Sequence, residues 1–249
     1  MNRRSILKAL FLGTPTSVPP VARELAIPDS SANDPGISDK RWHVPSGRNG
    51  RQELSPCKLT MNWKIENGRL TCMGHLPDTN AFLSDYRLSG EGKSFKAEML
   101  FTFLGELMDQ AKHELHVGFR VSPTEQSNDA NIDAGVSRDG SLFIGQTKGD
   151  KVLNEGILAE PLRLVLTVIS QSAGGCFAKL KALDRSGNTL ATLSSTKYAC
   201  SEWQGDIGVL SQYNGIKYDQ PSAVISKFKI EGEKLIEIKA HDEHTDYIN

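Results

Sequence analysis

Residues 131–145, with the sequence NIDAGVSRDGSLFIG, constrain the fold more than any other stretch of this chain. Apolar residues alternate with polar or small residues on both sides of the Arg-Asp-Gly segment at 138–140. Alternation with a period of two is typical of a strand with one buried face, and Asp-Gly between two such runs is a strong signal for a tight turn. The stretch therefore predicts a β-hairpin with Ile132, Ala134 and Val136 on one face.

The same alternation recurs along most of the chain. Residues 94–104 (SFKAEMLFTFL) and 114–122 alternate in this way, and a second Asn-Gly turn at 67–68 joins two short runs. Residues 161–172 contain LRLVLTVIS, which is apolar at nearly every position and predicts a central strand covered on both faces. Roughly a dozen such runs without a long helical pattern predict an all-β fold, a two-sheet antiparallel β-sandwich or jelly roll.

The composition of the amino-terminal region differs from that of the rest of the chain. Residues 1–26 contain Arg3-Arg4 before a short apolar run, an order that resembles a twin-arginine export signal; a basic tail without a targeting role is the alternative. Residues 27–55 are polar and rich in turn-forming residues, and predict an irregular tail. We expect the sandwich at 56–232, a charged tail at 233–249, and an exported protein that is periplasmic or extracellular.

Four cysteines leave the redox state open. Cys57 and Cys72 flank one predicted hairpin, and Cys176 and Cys200 flank another. An oxidising compartment would allow two disulfides in any of three pairings, whereas folding in the cytosol before export would leave free thiols. None of the cysteines has the C-x-x-C spacing that is typical of a zinc site.

The charge balance argues against several classes of partner. The formal net charge of the 249-residue chain is -1, which provides no global field to attract nucleic acid. No apolar run approaches the roughly 20 residues that span a bilayer. We expect no nucleic-acid partner, no membrane span and no cofactor, and the lack of a recognisable catalytic motif favours a non-catalytic role.

The strand motifs, taken in order, resemble those of concanavalin A-like lectin and glucanase jelly rolls. They include W-x-I-x-N-G-x-L-x-C at 63–72, HVGFRV at 116–121 and the hairpin at 131–145. In particular they resemble the N-terminal sandwich of secreted alkaline phosphatase D-type metallophosphoesterases. The resemblance implies a sugar-binding fold, or a module that accompanies a partner catalytic domain. Neither the metal ligands of those phosphoesterases nor the E-x-D-x-E motif of the glucanases is found in this sequence.

Two groups of residues are candidates for a ligand site. Four polar residues occupy the outward positions of central predicted strands, and would form one patch if their strands adjoin: Glu98, His116, Arg120 and Asp133. Aromatic and amide side chains around the late strand at 205–213 have the chemistry of a carbohydrate platform: Trp203, Gln212, Tyr213 and Tyr218. The alternatives are a solvated face with cross-strand ion pairs for the first group, and loop packing with Trp203 in the core for the second.

Two further patterns suggest metal sites, and we expect neither to be one. Residues 127–133 (SNDANID) offer oxygen ligands for calcium but fit an Asx-rich turn better. His113 and His116 would share a face only on a helix, whereas the surrounding alternation predicts a strand.

The leading hypothesis is an exported, non-catalytic sandwich that binds carbohydrate or another cell-surface polymer. One alternative is an accessory module of a phosphoesterase system. Another is a glycoside hydrolase that uses Glu98 and Asp133.

Overall fold

Strands make up most of the regular structure in the computed structural model, which describes residues 37, 40–46, 50–54, 59–60, 63–73, 79–104, 115–123, 131–171, 174–212 and 221–238. All of these residues belong to one unit, Asp34–Asn249. In chain order the strands are β1 (Trp42–Ser46), β2 (Gly50–Leu54), β3 (Leu59–Thr60), β4 (Trp63–Glu66), β5 (Arg69–Cys72), β6 (Thr79–Leu88), β7 (Ser94–Phe103), β8 (His116–Ser122), β9 (Ile132–Ser137), β10 (Ser141–Ile144), β11 (Thr147–Lys151), β12 (Leu162–Ser170), β13 (Cys176–Leu183), β14 (Thr189–Ser195), β15 (Gly205–Gln212), β16 (Ala223–Glu231) and β17 (Leu235–Glu237).

The strands form two antiparallel sheets that face each other. The nine-stranded sheet has the order β11-β10-β9-β8-β15-β6-β1-β2, and β17 also pairs with β6. The eight-stranded sheet has the order β14-β13-β12-β7-β16-β5-β4-β3. This architecture confirms the predicted two-sheet antiparallel β-sandwich. A four-residue helix, α1 (Glu155–Leu158), follows β11, and no helix within the described ranges is long and apolar enough to cross a membrane.

Aromatic side chains join the two sheets at the centre of the core. Phe228 of the eight-stranded sheet packs edge-on against Trp42 of the nine-stranded sheet, with ring centroids 5.2 Å apart, and lies 6.1 Å from Phe119. All three side chains are fully buried. Burial of one such ring contributes roughly 2–3 kcal/mol, so these contacts stabilise the packing of one sheet on the other.

Both predicted tight turns are present. β9 and β10 form the hairpin of residues 131–145, and Gly140 in its turn has a φ of 90°. Asn67 and Gly68, between β4 and β5, have φ values of 50° and 68°. Positive φ at both central residues is the type I′ geometry that Asn-Gly favours. Local sequence therefore specifies these two hairpins.

The strand β12 differs from its predicted environment. It lies between β7 and β13, as expected of a central strand, but Arg163 and Ile169 are exposed on its outer face. Leu164 and the other inward residues of β12 are buried, so the strand is covered on one face and the prediction of two covered faces is wrong. Some outward residues are also apolar, and this hid the period of two in the sequence.

The sandwich also extends beyond its predicted limits at both ends. β1 and β2 lie within the stretch expected to be an irregular tail, and β17 lies within the expected charged tail. Trp42 and Val44 of β1 are buried, so β1 has the alternation of a strand, which the polar and turn-forming residues around it conceal. The predicted export signal lies outside the described residues, as do Cys57, Tyr213 and Tyr218.

The outer face of the eight-stranded sheet is rich in basic side chains. Outward and inward positions alternate along its strands, as the burial of every second residue shows. Its basic residues are Lys64, Arg69, Lys96, Arg163, Lys179, Lys181, Lys227 and Lys229. Its acidic residues are Glu66, Glu98 and Glu231.

Candidate ligand-binding site

A groove of about 500 Å³ lies on the outer face of the nine-stranded sheet, against the hairpin that β9 and β10 form. We refer to it as the hairpin groove. It is lined by His116, Asn131, Ile132, Asp133, Ser137, Phe143, Gly145, Gln146, Lys148, Tyr198, Glu202 and Leu210. Strands β8, β9, β10 and β15 supply its base, and the segment after β14 supplies a wall.

Two glycines face each other on the neighbouring strands β8 and β9. Gly118 and Gly135 are cross-strand partners. On its other side, Gly118 pairs with Leu210 of β15, and Gly135 pairs with Phe143 of β10. A Cβ added to either glycine would lie 2.7 Å from the Cα of the other, which is too close for a real side chain. The strands therefore approach closely here, and neither of the two positions between Phe143 and Leu210 carries a side chain.

A fixed carboxylate on β9 lines the hairpin groove. Asp133 on β9 is the cross-strand partner of Arg120 on β8, and the guanidinium donates from Nε and Nη2 to the two carboxylate oxygens at 2.7 Å each. The Arg120 side chain is only 5% exposed, whereas that of Asp133 is 25% exposed. Arg120 therefore holds the carboxylate from the neighbouring strand, and part of the carboxylate stays accessible.

Aromatic rings supply the apolar side of the groove. Phe143 projects outward from β10 and is half-buried, and its ring centroid lies 5.1 Å from that of His116. His116 is the cross-strand partner of Ser137, which also lines the groove. An outward apolar ring thus lies close to hydroxyl, imidazole and carboxylate groups.

Asp139 fixes the hairpin turn. Burial opposes its ionisation, yet hydrogen bonds from the Ser137 hydroxyl, the Ser141 backbone and Lys148 hold the pKa of Asp139 well below its ordinary value. The Lys148 and Lys151 ammonium groups lie 3.3 and 3.4 Å from its Oδ2. The carboxylate stays charged and keeps Ser137 and Lys148 in position at the groove.

Tyr198 forms a wall of the groove at the end of the hairpin. Its hydroxyl accepts a hydrogen bond from the Gln146 backbone N–H at 3.0 Å, and its ring packs edge-on against Trp203. Gly145 has a φ of 51°, and a Cβ there would lie 2.5 Å from Cζ of Tyr198. Glycine is therefore required at position 145 for Tyr198 to reach the groove.

A disulfide between Cys176 and Cys200 anchors this wall. The Cys176 N–H donates to the carbonyl of Tyr198 at 3.1 Å, so the tyrosine segment is held against β13. The sequence left the redox state of the four cysteines open, and the structure shows that these two are oxidised and paired with each other. Cys72 is a buried free thiol whose Sγ lies 3.3 Å from the Thr79 hydroxyl.

The structure separates the first group of predicted site residues. His116 and Asp133 line the groove and Arg120 is paired with Asp133 on the neighbouring strand, but Glu98 is on β7 in the other sheet. The prediction of one patch that includes Glu98 is therefore wrong. Glu98 and Asp133 lie on opposite outer faces of the sandwich, so they cannot flank one glycosidic bond as an acid pair.

The second predicted group is also corrected. Trp203 is fully buried and its ring centroid lies 5.9 Å from that of Phe95, so it cannot offer an exposed ring to a ligand. The core alternative for this tryptophan is the one observed. The Gln212 backbone pairs with His116 at the end of β15, which places it near the groove. The roles of the two tyrosines in this group remain predictions.

Sequence reasoning missed two aromatic members of the groove. Phe143 shares the outward face of β10 with Ser141, and an apolar ring on an otherwise polar face was a readable signal. Tyr198 had no such signal, because its position depends on the disulfide and on a contact with Gly145 from a distant part of the chain. Within the described ranges, no group of three or more His, Cys, Asp or Glu residues could hold a metal ion.

Comparison with solved structures identifies the class of fold as the concanavalin A-like jelly roll of legume lectins. The acidic lectin of winged bean matches with a TM-score of 0.52 at 11% identity over 74% of this chain and 96% of its own. Lectin I of Ulex europaeus matches with a TM-score of 0.50 at 14% identity over 68% of this chain and 88% of its own. Arcelin-5, a lectin-like defence protein of Phaseolus vulgaris, matches with a TM-score of 0.50 at 13% identity over 69% and 91%.

These identities are low, and the similarity therefore concerns the fold alone. No protein-family model matches the sequence, and no curated protein sequence matches it. The function of the chain has to be argued from the hairpin groove itself.

Proposed function

We propose that this protein is a non-catalytic carbohydrate-binding module, and that a sugar occupies the hairpin groove. The observation that carries the proposal is the outward ring of Phe143 beside the fixed carboxylate of Asp133. A pyranose has an apolar C–H face and a rim of hydroxyl groups. A protein site for it therefore needs a ring and hydrogen-bonding groups at the edge of that ring.

Phe143 offers the apolar contact that such a sugar requires. Its ring lines the hairpin groove, and its cross-strand neighbour Gly135 carries no side chain that could cover it. Asp133 occupies the adjacent outward position of β9, where its oxygens would accept hydrogen bonds from sugar hydroxyls.

Preorganisation supports this assignment. Arg120 holds the Asp133 carboxylate in one orientation before any ligand arrives, so little side-chain freedom is lost on binding. Ser137 and Lys148 are likewise held by Asp139.

Two proteins with this fold were solved with sugars. The Ulex lectin structure contains the methyl glycoside of α-L-fucose, and the winged bean lectin structure contains methyl-α-D-galactose. They support the proposal only to the extent that the fold accommodates sugars, and they do not identify the sugar that this chain would bind.

A glycan array followed by titration calorimetry tests the proposal. We expect the chain to bind a subset of glycans, and Phe143→Ala to weaken binding about tenfold through loss of the ring contact. Phe177→Ala is the matched control, because Phe177 is also a half-buried outward phenylalanine but lies on the other sheet. Absence of glycan binding by the unmodified chain, or equal loss in both variants, would contradict the proposal.

Export to the periplasm or the cell exterior is the second part of the proposal. The Arg3-Arg4 pair supports it, and so does the Cys176–Cys200 disulfide, because disulfides persist mainly in oxidising compartments. A fusion of residues 1–26 to a reporter should be exported. Replacement of both arginines by lysine should retain the reporter in the cytosol, and unchanged export would contradict a twin-arginine route.

A docking role beside a phosphoesterase catalytic domain has only the strand motifs as its support. Co-purification of this chain with such an enzyme from its native cells would favour that role. Glycan binding by the isolated chain, with no enzyme retained, would favour the carbohydrate module.

A further inference from the structure

The outer face of the eight-stranded sheet carries an excess of positive charge that the hairpin groove does not use. Eight basic and three acidic side chains point outward from the strands whose side chains the structure describes, whereas the whole chain has a net charge of -1. Positive charge is therefore concentrated on one face of the sandwich. Such a concentration attracts anions even when the net charge is near zero.

The glutamates at the centre of this face are already engaged. Glu98 forms an ion pair with Lys96 and lies 3.9 Å from Arg163. Glu231 lies 2.9 Å from Lys229 and 3.8 Å from Lys96. The hydrogen bond from Lys229 and the charge of both lysines lower the pKa of Glu231, which is consistent with a positive local field.

Lys179 and Lys181 lie on β13 without a carboxylate as a direct cross-strand neighbour. They occupy alternate outward positions, so their Cα atoms are about 7 Å apart along the strand. Their direct cross-strand neighbours are all uncharged: Val165, Thr167, Thr192 and Ser194. Two like charges so close together repel each other, and no cross-strand acid on β12 or β14 relieves that repulsion.

The surroundings of these lysines fit a polysaccharide better than other polyanions. The face offers threonine and serine hydroxyls beside its charges, which suit the hydroxyl groups of sugars. Single-stranded nucleic acid is usually held by stacking on several aromatic residues, whereas Phe177 is the one outward aromatic ring on the described strands of this face. Phosphate recognition also favours arginine over lysine. Membrane binding needs a larger apolar surface than Ile169, which is 46% exposed, provides on this face.

We propose that the outer face of the eight-stranded sheet is a second binding surface, and that it binds an acidic polysaccharide through Lys179 and Lys181. The carboxylates of such a polymer would take the place of the missing acidic neighbours. Arg163 is exposed on the adjacent strand β12 and would provide a further contact. This surface does not depend on the hairpin groove, which lies on the opposite face of the sandwich.

Binding of the full chain to polygalacturonate, measured by affinity electrophoresis at several salt concentrations, tests the proposal. We expect binding that weakens as salt rises, because exposed charges are screened. Lys179→Glu/Lys181→Glu should weaken it at least about tenfold, since two attractive contacts become repulsive. Lys179→Gln/Lys181→Gln should also weaken polygalacturonate binding, but less. This milder variant shows the effect of the two charges even if the charge-reversal variant misfolds.

Two controls distinguish this surface from a general effect of net charge and from the hairpin groove. Lys93→Glu/Lys197→Glu makes the same change in net charge at exposed positions outside the sheet face, and should leave polygalacturonate binding within about twofold of the unmodified chain. Phe143→Ala alters the hairpin groove and should also leave it unchanged. The proposal would be overturned if Lys93→Glu/Lys197→Glu weakened polygalacturonate binding as much as Lys179→Glu/Lys181→Glu does. It would also be overturned if only Phe143→Ala weakened that binding. Retention of duplex DNA or phosphatidylglycerol vesicles with no retention of polygalacturonate would overturn it as well.

Discussion

Arg120 and Asp133 face each other across β8 and β9, and two hydrogen bonds of 2.7 Å join the guanidinium to both oxygens of the carboxylate. The arginine is nearly buried and the aspartate is partly exposed. Arg120 therefore contributes mainly to the stability of the sheet, whereas Asp133 also lines the hairpin groove. Substitution of one residue at a time separates these two roles.

Loss of the Arg120 guanidinium should destabilise the sandwich. Arg120→Met keeps much of the side-chain volume but leaves the Asp133 carboxylate without its two donors, and we expect the free energy of unfolding to fall by about 2 kcal/mol. Urea unfolding measures this change. Arg163→Met is the control, because Arg163 is an exposed arginine 3.9 Å from Glu98 and should change stability by less than about 0.5 kcal/mol. Equal effects of the two substitutions would contradict the role given to Arg120.

The close approach of β8 and β9 at Gly118 and Gly135 should not tolerate a side chain. Gly135→Ala would place a Cβ 2.7 Å from the Cα of Gly118, so the strands must separate, and we expect a loss of about 1–3 kcal/mol. Gly149→Ala on β11 is the matched control, since a Cβ there meets Leu193 Cδ1 at 3.5 Å, an ordinary contact. Thermal unfolding of both variants provides the comparison. A Gly135→Ala variant as stable as Gly149→Ala would disprove the close approach of β8 and β9.

Asp139 should give the hairpin a stability that disappears in acid. Its pKa is lowered in the folded chain, so ionised Asp139 contributes stability above the unfolded pKa of about 3.9, and this contribution is lost as pH falls from that value through the lowered folded pKa. The stability difference between the unmodified chain and Asp139→Asn should be constant near neutral pH and shrink in acid. Urea unfolding across this range measures it. Ser137→Ala removes the hydrogen bond from the Ser137 hydroxyl to Asp139, so the stability of this variant should depend less on pH in acid. An unchanged pH dependence would contradict the role given to this hydrogen bond.

Reduction of the Cys176–Cys200 disulfide should destabilise the fold and loosen the Tyr198 wall. The bond closes a loop with a sequence separation of 24, for which the stabilisation is about 3 kcal/mol. Dithiothreitol should therefore lower the Tm of the unmodified chain and increase hydrogen exchange around Tyr198. Cys176→Ser/Cys200→Ser should show the lower Tm without reductant and no further shift with it. A further shift in the double variant would mean that reductant acts elsewhere.

Local features of the sequence were sufficient for much of the fold. The hairpin at 131–145 and the turn at 67–68 form where they were predicted, because glycine and asparagine adopt the positive φ that these turns require. Alternation also identified inward residues such as Phe95 and Val117 correctly. The two-sheet architecture followed from the number and spacing of such strands.

The candidate site was predicted only in part. His116, Arg120 and Asp133 were placed together correctly, since β8 and β9 are neighbours in both sequence and space. Glu98 was misplaced because β7 and β8 follow each other in the chain but belong to different sheets. Trp203 was misassigned because a loop position gives no sign of burial until the residues that cover it are known.

The sequence by itself determined most of the strands from β4 to β16, the two tight turns and which side chains of a strand share a face. These properties depend on φ preferences and on a period of two, both of which act over a few residues. Only the tertiary structure decided which sheet each strand joins and which side chains meet at the hairpin groove. Those outcomes depend on pairings such as Val121 with Ile207 and on the Cys176–Cys200 disulfide, which join residues far apart in the chain.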